Sequence, residues 1–203
     1  MLETGGLILI FAFAVIVHEV AHGLAAERLG DPTARDLGRI TLNPIPHIDL
    51  TMSIILPGLL LLSGSPFLIG GAKPVPVNWF NFKRPRQDMA LVALAGPVSN
   101  LIQAAFFWGL LLIVPKIEFL ITLLAQGIIV NVLLATFNML PIPPLDGGRI
   151  VLGILPKNLA VHFSKLERFG LIIVILFVVL GGFSKLFLPL FDLLIYGIES
   201  SLK

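Results

Sequence analysis

The sequence predicts an all-α polytopic membrane protein, and three observations carry that reading. Hydrophobic residues fill 57% of the 203 positions and charged residues only 13%, with a mean hydropathy of +0.99. A soluble domain of this length could not cover that much apolar surface with polar groups. The apolar residues fall in runs of membrane-spanning length, and the Lys and Arg residues cluster between the runs. About five to six transmembrane helices are expected, with one re-entrant segment and a small interfacial β element. They form a single membrane-embedded domain over residues 1–203, its core at 7–155 and its C-terminal helices at 160–203.

A spanning helix needs about 20 mostly apolar residues. Leu7 to Leu29, Met89 to Val114 and Phe119 to Leu140 meet that requirement. The first run lacks a preceding basic region and carries His18, Glu19 and His22, so it reads as a retained helix rather than a signal peptide. Leu50 to Gly71 is apolar but broken by Pro57, Gly58, Gly64 and Pro66. Phe169 to Ile198 holds two apolar pieces parted by Gly181, Gly182, Ser184 and Lys185, which predicts two short helices. Leu37 to Leu42 and Lys73 to Val77, bounded by turn residues, predict the interfacial β element.

Charge decides between spanning and re-entrant for Leu50 to Gly71, because cytoplasmic loops collect Lys and Arg. A re-entrant segment leaves only Lys116 and Lys185, of 14 basic residues, off the cytoplasmic side. A full span inverts everything downstream and leaves five inside and nine outside. The re-entrant topology is therefore expected. Lys83, Arg84 and Arg86 beside Trp79 read as an anchor on the anionic lipid surface. The formal net charge of +2, spread over short clusters, does not suggest nucleic-acid binding.

His18-Glu19-Val20-Ala21-His22 is an H-E-x-x-H motif within an apolar helical run. Spacing of i and i+4 sets both imidazoles on one helix face, where they can share Zn²⁺, with Glu19 beside the open position as general base. In a soluble helix the motif could be an ordinary polar face. Inside a membrane helix, three ionisable residues in one turn are costly unless they meet a metal or a cavity. The chain contains no Cys, so a third ligand must come from His, Asp or Glu. His47, Asp49, Asp146, His162 and Asp192 are the candidates. Asp146 stands out because Pro141, Pro143 and Pro144 stiffen the turn before it and Gly147 and Gly148 permit close backbone approach. A plain cap on the following helix is its competing reading.

These residues, with others, resemble the site-2 protease family of intramembrane zinc metalloproteases, the M50 peptidases, in its small prokaryotic form. The resemblance rests on His18 to Gly23, Gly38 to Pro44, His47-Ile48-Asp49, Ala72 to Asn78, Ala95 to Asn100, and Asn138 to Gly147. It covers about Val15 to Leu152 and leaves the last 50 residues unmatched. Leu50-Thr51-Met52-Ser53 and Trp79 depart from the family pattern, and no PDZ-like insert is present. The resemblance implies His18, His22 and Asp146 as zinc ligands and Glu19 as the base that activates a zinc-bound water. It also implies a transmembrane protein or peptide as substrate, and a prokaryotic cell membrane with the active site toward the cytoplasm.

Asn131 and Asn138 lie seven apart on one helix face, as contacts for the substrate or the scissile carbonyl, or as interhelical hydrogen bonds. The small-residue stretch Ala95 to Asn100 reads as helix packing. A metal-handling or transport protein using the same histidines is the alternative function. It would call for ionisable residues along several spans and an internal repeat, and the sequence has neither.

Overall fold

The computed structural model describes residues 2–55, 58, 59, 62 and 70–202, and every regular element among them is helical. α1 is Leu2–Arg28, and the one-turn α2 is Thr33–Asp36. Two long helices follow, α3 at Pro85–Ile113 and α4 at Glu118–Asn138. The C-terminal part holds α5 at Asp146–Ile154, α6 at Lys157–Ser164, α7 at Gly170–Val179 and α8 at Gly182–Ser201. Single turns at Ile45–His47, Leu50–Ile55, Trp79–Asn81 and Lys165–Phe169 fill the connections.

Three helices, α1, α3 and α4, are long and apolar enough to cross a membrane, or four spans result if the C-terminal pair counts as one. The described residues thus do not reach the expected five to six. α7, with 10 residues, is too short to span alone. Gly181, at φ 78°, ends it in the left-handed region and starts α8. The chain bends by 63° there. Ile102, Phe106, Leu112 and Ile113 of α3 are exposed, as lipid-facing side chains should be.

The expected β element does not form among the described residues. Gly38 turns the first segment at φ 65°, and Pro74 and Pro76 cannot donate to a ladder. A side chain joins the two segments instead: Arg39 Nη2 donates to the carbonyls of Lys73 at 2.8 Å and Pro74 at 3.3 Å. Within the expected re-entrant segment, residues 56, 57, 60, 61 and 63–69 lie outside the described residues. Its two flanks meet. Ser53 Oγ donates to the Gly71 carbonyl at 2.7 Å, and the Lys73 amide donates to the His47 carbonyl at 2.8 Å.

α3 is the central helix and packs on α1, α4 and α5, while α1 also touches α4. Apolar packing at one end joins Leu111, Leu124 and Ile128 to Ile198 of α8. At the other end Ala26, Phe82 and Val92 pack together. Between these two clusters the three spanning helices bury polar groups against one another, and the candidate site lies there.

Candidate metal centre

His18 and His22 stand one turn apart on α1, and helical geometry alone brings their rings together. Their Nε2 atoms lie 3.0 Å apart. Asp146, the first residue of α5, brings its Oδ2 to 3.1 Å from His18 Nε2 and 3.3 Å from His22 Nε2. All three residues are buried. The turn before α5 sets this carboxylate at its depth by folding back tightly on the helix start. A Cβ on Gly147 would overlap the carbonyl oxygens of Met139 and Leu140.

The outer nitrogens fix the chemistry of the inner ones. His18 Nδ1 donates to Asn100 Oδ1 at 2.6 Å, and His22 Nδ1 donates to the Val92 carbonyl at 2.7 Å. Both acceptors lie on α3. A neutral imidazole protonated at Nδ1 carries a lone pair at Nε2. Two lone pairs and a carboxylate oxygen therefore face one point. Asp146 Oδ2 is buried there without a hydrogen bond. Three acceptors at this separation repel one another unless a cation sits among them. Ligands about 2.0 to 2.1 Å from a tetrahedral zinc stand about 3.3 Å apart, close to the spacing seen here. The donor set fits a divalent zinc-type ion, and no other such group of His, Asp or Glu occurs among the described residues.

Glu19 lies beside the three and is half-buried. Its Oε2 accepts from the Val75 amide at 2.8 Å. A cavity of about 140 Å³ opens at this point, lined by the four residues together with Val75, Asn138 and Arg149. It has room for water and for part of a chain.

Asn100 is fully buried and passes the bonding on. Its Nδ2 donates to the Ala14 carbonyl at 3.2 Å and to Asn131 Oδ1 at 2.9 Å. Asn131 Nδ2 closes the series on the Gly127 carbonyl at 2.9 Å. The relay thus ties α1, α3 and α4 together through satisfied amides. Asn131 is not among the residues that line the metal cavity, and both its amide atoms are used, the arrangement of an interhelical hydrogen bond. Asn138 does line the cavity, with its Nδ2 on the Leu134 carbonyl.

The other ligand candidates lie elsewhere. His47 is buried with Nε2 donating to the Thr41 carbonyl at 2.9 Å. His162 donates from Nδ1 to the Asn158 carbonyl on an exposed helix, and Asp49 accepts from the Thr51 amide. Asp192 is exposed on α8.

Two further residues matter, and the sequence marks them only weakly. A Cβ on Gly96 would lie 2.5 Å from His22 Nε2 and 2.6 Å from His18 Cε1, so this glycine lets α3 pass directly against the two imidazole rings. Its signal is a small-residue stretch ending in an amide within an apolar span. Asp31, just beyond α1, is fully buried and accepts four hydrogen bonds: from Thr33 N at 3.1 Å, Thr33 Oγ1 at 2.5 Å, Asn78 N at 2.6 Å and Asn81 Nδ2 at 2.7 Å. Burial pushes its carboxyl up, and these donors more than offset that, so it titrates below the usual range. Asp31 pins the chain that carries Val75 and Val77 against the end of α1.

A buried His-His-Asp cluster that can hold a zinc-type ion, set among helices of membrane-spanning length, fits a membrane metalloprotease, and comparison with known proteins makes the class specific. The model of peptidase family M50 matches residues 114–181. YwhC of Bacillus subtilis is 38% identical over 210 residues, which cover 97% of this chain and 89% of that protein. Rip2 of Mycolicibacterium smegmatis is 27% identical over 179 residues, 87% of this chain and 68% of its own length. Rip2 of Mycobacterium tuberculosis is 33% identical over 140 residues, 66% of this chain and 51% of its own. Each carries the words zinc metalloprotease in its name. No solved structure matches the chain. The chain belongs to peptidase family M50.

Proposed function

We propose that this chain is a zinc-dependent intramembrane endopeptidase, a single domain over residues 1–203 with its catalytic core at 7–155. It hydrolyses peptide bonds of transmembrane or membrane-adjacent substrates. His18, His22 and Asp146 hold the metal, and Glu19 is the catalytic base. The observation that carries this reading is the convergence of three inward-facing acceptors whose outer atoms are fixed by Asn100 and Val92. Family membership supports it and does not favour the transport alternative.

When bound, zinc supplies Lewis acidity to the scissile carbonyl and lowers the pKa of water beside it. Glu19 does the proton work. With Oε2 held by the Val75 amide, Oε1 takes a proton from the water that attacks the carbonyl carbon. The same carboxyl then delivers that proton to the leaving amide nitrogen as the C–N bond breaks, which yields a carboxylic acid and an amine. Asn138, at the cavity wall, orients the substrate backbone.

The active site faces the cytoplasmic side of a prokaryotic cell membrane, and the segment 50–71 is re-entrant. Two facts support that topology: the basic residues divide twelve to two under it, and hydrogen bonds join the two flanks of the segment.

Glu19→Gln tests the proposal in purified, detergent-solubilised protein. It should retain a full equivalent of zinc and cleave no transmembrane model substrate. Cleavage at the wild-type rate would remove Glu19 from the chemistry.

A further inference from the structure

A second cavity, of about 650 Å³, opens beside the metal cavity and shares Val77, Pro144 and Arg149 with it. It lies where α3 begins and α5 and α6 pack, at the same end of the molecule as Lys83 and Trp79. Trp79, Met89 and Pro143 give it an apolar wall. Its charged lining is Arg86, Arg149 and Lys157 against one acid, Glu167. Arg86 is committed to the fold, since its guanidinium donates to the Leu152 carbonyl at 2.9 Å and to the Leu155 carbonyl.

Arg149 is different. It sits in the first turn of α5, where a cation opposes the helix dipole. It makes no side-chain hydrogen bond or ion pair among the described residues. Asp146, one turn before it, is turned to the histidines instead. An unpaired, half-buried guanidinium between the reaction site and a roomy apolar cavity is unfavourable for folding and well suited to an anion.

We propose that this second cavity receives the interfacial flank of the substrate, the few residues beyond the scissile bond toward the headgroup region, and that Arg149 selects an acidic side chain there. The inference rests on the peptidase reading above and extends it to sequence preference. Apolar wall and excess cation together fit a short apolar stretch followed by Asp or Glu. Lys157, exposed at the rim, adds to the field without fixing the geometry.

The test uses the full chain in detergent and three substrates that differ only in one flank residue, Glu, Gln or Lys. The quantity read is the kcat/KM ratio within each protein variant, so a general loss of activity cancels. Wild type should prefer Glu over Lys by about tenfold or more, the size of a charge-assisted hydrogen bond, and added salt should shrink the ratio. Arg149→Gln should flatten the ratio, Arg149→Lys should keep it in part, and Arg149→Glu should reverse it.

Binding of the same three peptides to Glu19→Gln protein gives the preference without turnover. If Arg149→Gln keeps the wild-type preference, or if wild type shows none at any flank position, the proposal is overturned. It is equally overturned if the flank is irrelevant and phosphatidylglycerol vesicles alone bind in an Arg149-dependent way, since the cavity would then take a lipid phosphate. Failure of the peptidase reading looks different: Glu19→Gln and wild type would then cut alike.

Discussion

His18 and Asn100, 82 residues apart in the chain, share a buried hydrogen bond of 2.6 Å that fixes which imidazole nitrogen faces His22 and Asp146. Asn100 turns its oxygen to His18 because its amide nitrogen donates to the Ala14 carbonyl and to Asn131 Oδ1 on the other side. The tautomer of His18 on α1 is thereby set by a relay through α3 and α4.

Asn100→Ala should weaken zinc binding by about 10- to 100-fold, the usual effect of removing a partner behind a ligating histidine. Competition with a chelator of known affinity measures it. Asn131→Ala should give a smaller change, because it acts on His18 only through Asn100. Equal affinity in Asn100→Ala and wild type would show that the relay serves packing alone.

Asp146→Ala should lose zinc and activity together, and Asp146→Asn should retain weakened binding through its amide oxygen. Asp192→Ala, exposed on α8, should retain both. Metal content per purified protein reads the outcome. A full equivalent of zinc in Asp146→Ala, with loss on substitution of His47 or Asp49, would move the third ligand to the loop after α1.

Gly96→Ala should abolish zinc binding, because its methyl group would occupy space held by the His18 and His22 rings. Gly109→Ala on the same helix is the control, since nothing lies within 4 Å of a Cβ there. That control should be neutral or stabilising by up to about 1 kcal/mol through helix propensity. Zinc content and melting temperature in detergent separate the two variants.

Asp31 predicts a pH dependence of stability. Its folded pKa lies below the unfolded value of about 3.9, so its contribution is fully present above that value. The contribution is lost as pH falls through the folded pKa. Asp31→Asn should lower the melting temperature at pH 7, and the gap to wild type should close below about pH 4. A gap that persists unchanged to pH 2.5 would assign the loss to shape rather than charge.

Single cysteines at Arg35, Lys83 and Lys157 should all react with a membrane-impermeant reagent from the cytoplasmic side. The background is clean because the chain has no Cys. Labelling of the Lys83 and Lys157 positions from outside would mean that the segment 50–71 crosses the membrane.

The sequence by itself determined the parts that depend on short-range regularity. Apolar runs of the right length became α1, α3 and α4, and i, i+4 spacing put His18 and His22 on one face, because a helix repeats every 3.6 residues whatever surrounds it. The proline-rich turn singled out Asp146 for the same local reason. Packing decided the rest. Five acids and histidines could complete the site on paper, and only the approach of α5 to α1 brought one of them to the pair. Leu37 to Leu42 and Lys73 to Val77 read as strands, but a strand needs a partner ladder, and prolines with an Arg39 side-chain link took its place. Gly96 and Asn100 sit in a small-residue stretch that reads only as helix packing, and Asp31 carries no local pattern of its own. Their roles exist only because distant helices meet at van der Waals distance, where one methyl group or one amide changes which atoms face the metal position.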